Sequence, residues 1–361
     1  MQADSRDSNT TLSSANIPAE EGHTRRLGAR ANRLLLTFFS PRRMPQTRDQ
    51  LMLAMVALNE LFLGIEVYLA HGADGTIVPS EWYPIYYGLS SGVLLVLAGL
   101  LATRHRTAAS VLATATLVGS ALIGFLGVYF HLARAVLPTA PAGERLTLNL
   151  LVWAPPVLGP LAYSLAGLLG ISAAWEESPP TSGRLVIYRQ HAIHLPYSKS
   201  RAFIFTVGMG TLAALVSSVL DHARTGFDGA WLWYAAAIGV FGTVVPVAYA
   251  AMDRPSRMDT FTYIAAMLLL ILTGVLGAFL HVRSDLVFES TVVIERFLRG
   301  APPLAPLLFS NMGMLGLIAL LDPEFLQTMR RPPVGMPHSG PQETPAPGQD
   351  GSADQAHPLT G

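Results

Sequence analysis

Residues 124–131 read Gly124-Phe125-Leu126-Gly127-Val128-Tyr129-Phe130-His131, and residues 274–281 read Gly274-Val275-Leu276-Gly277-Ala278-Phe279-Leu280-His281. The shared frame is G-x-L-G-x-aromatic-apolar-H, displaced by 150 residues. Two further landmarks recur around it in the same order. Tyr68-Leu69-Ala70-His71 is matched by Val219-Leu220-Asp221-His222, displaced by 151 residues. Ala154-Pro155-Pro156, followed by Pro160, Ser164, Gly167 and Gly170, is matched by Ala301-Pro302-Pro303, followed by Pro306, Ser310, Gly313 and Gly316. Ordered landmarks at a nearly constant offset predict a tandem duplication.

The repeated segments lie in apolar runs. Hydrophobic residues make up 51% of the chain and charged residues only 13%, about half the roughly 25% charge usual in soluble domains. A helix crossing a bilayer needs about 20 mostly apolar residues. Eight runs approach or reach that length: 51–71, 83–102, 109–131, 153–174, 203–222, 230–251, 260–281 and 303–321. The expected fold is therefore an all-α integral membrane protein with eight transmembrane helices. Four fall in a first repeat, 51–174, and four in a second, 203–321, joined by a cytoplasmic linker at 175–202. Because four is even, the second copy re-enters the bilayer in the orientation of the first. The repeats should be parallel, related by an axis along the membrane normal, unlike the inverted repeats of many transporters.

Residues 1–45 are polar and basic, and 332–361 are rich in Pro, Gly, Ser and Gln. Both predict disordered tails. The first apolar stretch, Leu34–Phe39, is short and flanked by arginines, so a cleavable leader is not expected. With the N-terminus inside, inner segments carry 18 Arg and Lys residues and outer loops carry 6. That asymmetry predicts a multi-pass protein of the inner (cytoplasmic) membrane with both termini cytoplasmic.

Composition removes several chemistries. There is no cysteine, so disulfides, thiolate metal sites and Cys nucleophiles are excluded. Net formal charge is zero, which argues against a nucleic-acid partner. No P-loop, dinucleotide fingerprint, nucleophile elbow or HExxH motif is present. No catalytic residue is assigned, and whether the chain is an enzyme stays open.

The four repeated histidines carry the main functional expectation. His71, His131, His222 and His281 end the first, third, fifth and seventh runs, which all travel outward. They should share one depth at the outer face, as two pairs spaced 60 and 59 residues. Imidazole is the commonest metal ligand. Two histidines on adjacent helices suit a b-type haem, and all four suit copper, iron or zinc. The competing structural role is a cap, since a histidine at a helix C-terminus meets the negative end of the dipole.

Glu60 and Glu66 lie inside the first run, where a carboxylate must be paired or protonated. Glu60 stands about three turns below His71 on the same face. The second repeat has Thr211 and Ser217 at the aligned positions, and Asp221 beside His222. Pro155, Pro156, Pro302 and Pro303 should open the fourth and eighth helices and aim two positive helix ends at the histidine layer. His191 and His194, in the linker, are expected on a loop. Three functions remain: metal or haem binding in electron transfer, with a quinone or redox protein as partner; a transporter of ions or small solutes using Glu60 and Glu66; and a cofactor-free anchor subunit. The lipid bilayer is the expected surrounding in each.

Overall fold

A computed structural model describes residues 47–73, 75, 77–188, 191–288, 291–292, 302 and 304–322. The two tails and Pro303 lie outside the described residues. The described chain is mostly helical.

The helices are α1 (Arg48–Ala73), α2 (Trp82–Ala102), α3 (Arg106–Ala135), α4 (Leu148–Trp153), α5 (Leu161–Ala174), α6 (Lys199–Ala223), α7 (Ala230–Ala251), α8 (Arg257–Leu286) and α9 (Leu307–Ala319). Six of them, α1, α2, α3, α6, α7 and α8, are long and apolar enough to cross a membrane. Their outward sides carry large apolar residues in solvent-facing positions, among them Val93, Val96, Leu122, Phe125, Val244, Leu272 and Val275. A water-soluble helix would place polar residues there; lipid accepts apolar ones. These six helices make the chain a membrane-embedded protein by length and composition.

Helices α5 and α9 are shorter, with 14 and 13 residues. The run at 153–174 is not one helix. It breaks at Ala154, and α5 opens only after Pro160, which is its N-cap. Pro306 takes the same place before α9. Proline lacks the N–H and disfavours helix in the residue before it, so Pro155, Pro156 and Pro302 lie ahead of the helices in irregular backbone. The expectation that Pro155, Pro156 and Pro302 open the helices is corrected by about one turn.

The linker is not loop throughout. Strands β1 (Glu176–Glu177), β2 (Arg184–Tyr188) and β3 (His191–His194) form an antiparallel sheet in that order, with Leu185 opposite Ile193. A second hairpin joins β4 (Val287–Phe288) to β5 (Thr291–Val292). The chain is thus not wholly α. Arg184-Leu185-Val186-Ile187-Tyr188 is rich in β-branched and apolar residues, which favour strand. His191 and His194 are three apart on β3, so they point to opposite faces and do not form a ligand pair.

The order of neighbours is the same in both halves. Helix α1 packs on α2, α2 on α3, α3 on α5 and α5 on α1; likewise α6 on α7, α7 on α8, α8 on α9 and α9 on α6. Across the halves, α5 meets α6 and α9 meets α1. Local contacts also recur. Ser164 Oγ donates to Ala121 O at 3.0 Å, and Ser310 Oγ donates to Ile271 O at 2.8 Å. A Cβ on Gly124 would strike Ser164, and one on Gly274 would strike Ser310. These two glycines let α3 approach α5 and α8 approach α9 at backbone distance, as small residues do in membranes.

A buried ionic cluster closes the junction at the opposite end from the repeated histidines. Lys199, the sole lysine, is fully buried. Its Nζ donates to Asp49 Oδ2 and to Trp175 O, both at 2.7 Å. Arg48 Nη1 donates to Asp322 Oδ2 at 2.8 Å and also to Ser200 Oγ. Arg48 and Lys199 begin α1 and α6, displaced by 151 residues like the histidines above. Each basic side chain therefore reaches across to the residue following its counterpart and to the end of the other half's last helix. The contacts at this junction are thus reciprocal.

Candidate histidine site

The histidines sit near the C-terminal ends of α1, α3, α6 and α8, and the structure brings them together as two pairs. The rings of His71 and His131 are centred 6.2 Å apart, and those of His222 and His281 6.1 Å apart. Each pair joins two helices of one half. Among the described residues no three His, Cys, Asp or Glu side chains converge as a metal-binding group, so what is assembled is two pairs, not a four-histidine centre.

Three of the four rings are oriented by an acceptor. His131 Nδ1 lies 2.9 Å from Pro156 O, and His281 Nδ1 lies 3.1 Å from Pro302 O. A carbonyl oxygen only accepts, so Nδ1 carries the hydrogen in both rings. His71 Nδ1 lies 3.1 Å from Glu81 Oε2, again a donor facing an acceptor. Nε2 of these rings bonds to no described residue, and it is the nitrogen left for a ligand. The pairing also sets the alignment of the repeats. Pro156 and Pro302 are equivalent at a displacement of 146, which also relates Ser164 to Ser310, so the Ala-Pro-Pro match slips by one residue.

Glu81 precedes α2 and is not evident as a site residue from the sequence. Its Oε2 also accepts Val78 N at 3.0 Å, and its Oε1 accepts Arg134 Nη2 at 3.2 Å. Arg134 is three residues past His131, hence on the same helix face, and that spacing was the available signal. Among the described residues, no carboxylate of the second half bonds a histidine in this way. There Asp221 is within electrostatic reach of His222, His281 and Arg224. Arg224 donates to Val152 O at 2.6 Å and Ala154 O at 2.7 Å, capping α4 from the other half. The proline-rich segments thus present carbonyls, not helix N-termini, to His131 and His281.

The carboxylates of α1 lie deeper. Glu60 is completely buried, and its Oε2 accepts Ser91 Oγ at 2.7 Å. Its Oε1 has no hydrogen-bond partner among the described residues. Glu66 is half-buried and lies within electrostatic reach of the Tyr163 hydroxyl, as Glu60 does. In the second half Thr211 hydroxyl donates to its own helix at Val207 O, 2.9 Å.

No protein-family model, no curated protein and no solved structure matches this chain.

Proposed function

We propose that this is an eight-span membrane protein of two parallel tandem four-helix halves, whose outer histidine pairs each ligate one b-type haem in electron transfer. The tandem arrangement draws support from the recurring contacts, the reciprocal Arg48 and Lys199 bonds and the repeated sequence frame. The arginine and lysine asymmetry supports an inner-membrane location with both termini cytoplasmic and the histidines outermost. Helices α5 and α9, with the irregular segments ahead of them, would complete the fourth and eighth spans.

One observation carries the haem assignment: each half sets two imidazoles about 6 Å apart on neighbouring helix ends, with one ring fixed through Nδ1 by a proline carbonyl. Ligating histidines commonly donate their other ring N–H to a carbonyl or carboxylate. With metal–nitrogen bonds of about 2 Å, two imidazoles on opposite sides of one ion have ring centres roughly 6 Å apart. Zinc and copper centres ordinarily need a third or fourth protein ligand. A haem needs only the two axial ones, because the macrocycle fills the rest. Bound there, bis-imidazole iron would exchange single electrons at fixed coordination. The partner class is a quinone or a redox protein docking on the outer face.

Absorption spectroscopy and elemental analysis of the full-length protein in detergent test this. A Soret band is expected, with each of His131→Ala and His281→Ala removing the contribution of one half. Colourless protein without stoichiometric iron overturns the haem assignment, and stoichiometric copper or zinc would replace it.

A further inference from the structure

The first half contains a polar site that the second half does not. Glu60 on α1 faces Ser91 on α2 and Ser120 on α3, and the Tyr163 hydroxyl of α5 lies within electrostatic reach of its carboxyl group. All four helices of that half contribute. Ser91 donates its proton to Glu60 Oε2 and shares it with Gly88 O at 3.0 Å. Ser120 donates to Thr116 O at 3.3 Å, and Tyr87 OH donates to the same carbonyl. Tyr163 OH donates to Pro84 O at 2.8 Å. The hydroxyl protons nearest the carboxyl group are therefore committed, while Glu60 Oε1 is left without a donor. No described Arg, Lys or His forms an ion pair with Glu60. A bare carboxylate in that position would be very costly in lipid.

We propose that Glu60 is a buried proton-carrying site, loaded through Glu66. The proton resides on Oε1. The Ser120 hydroxyl, whose own proton goes to Thr116 O, is the neighbouring group left to accept it. Glu66 is about 9 Å above Glu60 along α1. Tyr163 OH lies within electrostatic reach of both carboxyl groups. A chain of about two waters would be needed to span this gap. A proton moves along the route with no bond other than O–H and N–H made or broken. The site stands independently of what the histidines ligate. If they do hold haem, a proton-binding acid beneath one pair and not the other would couple proton uptake to reduction in the first half alone.

Infrared spectroscopy of the full-length protein in lipid nanodiscs tests this without any cofactor. The carbonyl stretch of a protonated carboxylic acid is expected at neutral pH. It should be lost in Glu60→Gln, whose amide still accepts the Ser91 bond. In Glu66→Gln the Glu60 band should persist but exchange its proton for deuterium more slowly. An identical acid band in wild type and Glu60→Gln overturns the site. Unchanged exchange in Glu66→Gln overturns the route. Should Glu60→Gln fail to fold, Ser120→Ala serves instead. It removes the acceptor of the acid O–H and should raise the carbonyl frequency, and an unmoved band overturns the proposal.

Discussion

The two halves share a frame and differ in what fills it. Both set a histidine at the end of their first helix beside one at the end of their third, both fix the second of these on a proline carbonyl, and both pack glycine against serine where the third helix meets the last. Among the described residues, only the first half has a core glutamate accepting a serine hydroxyl and a histidine tied to an acid. At the aligned places the second half has Thr211, bonded to its own helix, Leu270 for Ser120 and Phe309 for Tyr163. Features common to both halves are those required by packing or by a property of the pair. Features confined to one half mark a task that the other does not perform. Breaking a shared feature should therefore give matched effects, and breaking an unshared one should give lopsided effects.

The largest matched effect is expected at the inner ionic cluster. Lys199→Met removes a buried cation and leaves Asp49 and Trp175 O without their partner. Removing one member of a buried ion pair typically costs 3–5 kcal/mol. Asp49 keeps Arg48 at 3.1 Å and is partly exposed, so about 3 kcal/mol is expected. Arg48→Met should cost about as much if the junction is a true twofold, and the double variant should cost less than the sum, since the two share partners. Thermal unfolding in detergent reads both. A large loss for one variant and none for the other would break the twofold description.

A smaller matched pair is Gly124→Ala and Gly274→Ala. Each added methyl meets a serine and its backbone nitrogen, and overpacking of this kind costs roughly 1–3 kcal/mol. Equal shifts in unfolding temperature are expected. A neutral outcome at either glycine would mean that its helix pair is looser than described.

The membrane-embedded, mostly helical character and the two histidine pairs could be read from the sequence, because they depend on long apolar runs and on a phase repeated at 150 residues; six of the eight expected spans are helices long enough to cross a membrane. His71 and His131 are on different helices, yet their place near helix ends and their parity put them side by side. What escaped was set by local backbone or by single side chains. Pro160 and Pro306, not the earlier prolines, begin the last helix of each half, because a cluster of prolines spoils the turn ahead of it. The linker strands were masked by a polar stretch with only five residues of strand character. Lys199 was visible as the sole lysine, but its burial depends on Asp49, 150 residues away. Glu81 had no motif at all. It acts on His71 only because a short turn carries the chain back beside α1.

The smallest effect is the most discriminating, because it touches one half only. Glu81 takes the Nδ1 hydrogen of His71 and is itself held by Arg134 and Val78 N. Glutamine at this place keeps an acceptor oxygen but loses the charge that makes the imidazole a stronger ligand. Mutations in such supporting partners cost about 10–100-fold in metal affinity. Glu81→Gln should therefore weaken ligand binding at the first pair by about tenfold, leaving the second untouched. Asp221→Asn is the converse control. Asp221 lies near His222 and His281 but is partly exposed and spends its charge on Arg224, 3.9 Å away, so its loss should move the second pair less. Titrating haem into the stripped protein and resolving two binding steps measures both. Equal weakening of both steps by Glu81→Gln would show that the histidines act as one site and would undo the division into pairs. Two unchanged steps would leave Glu81 as no more than a surface anchor for α1.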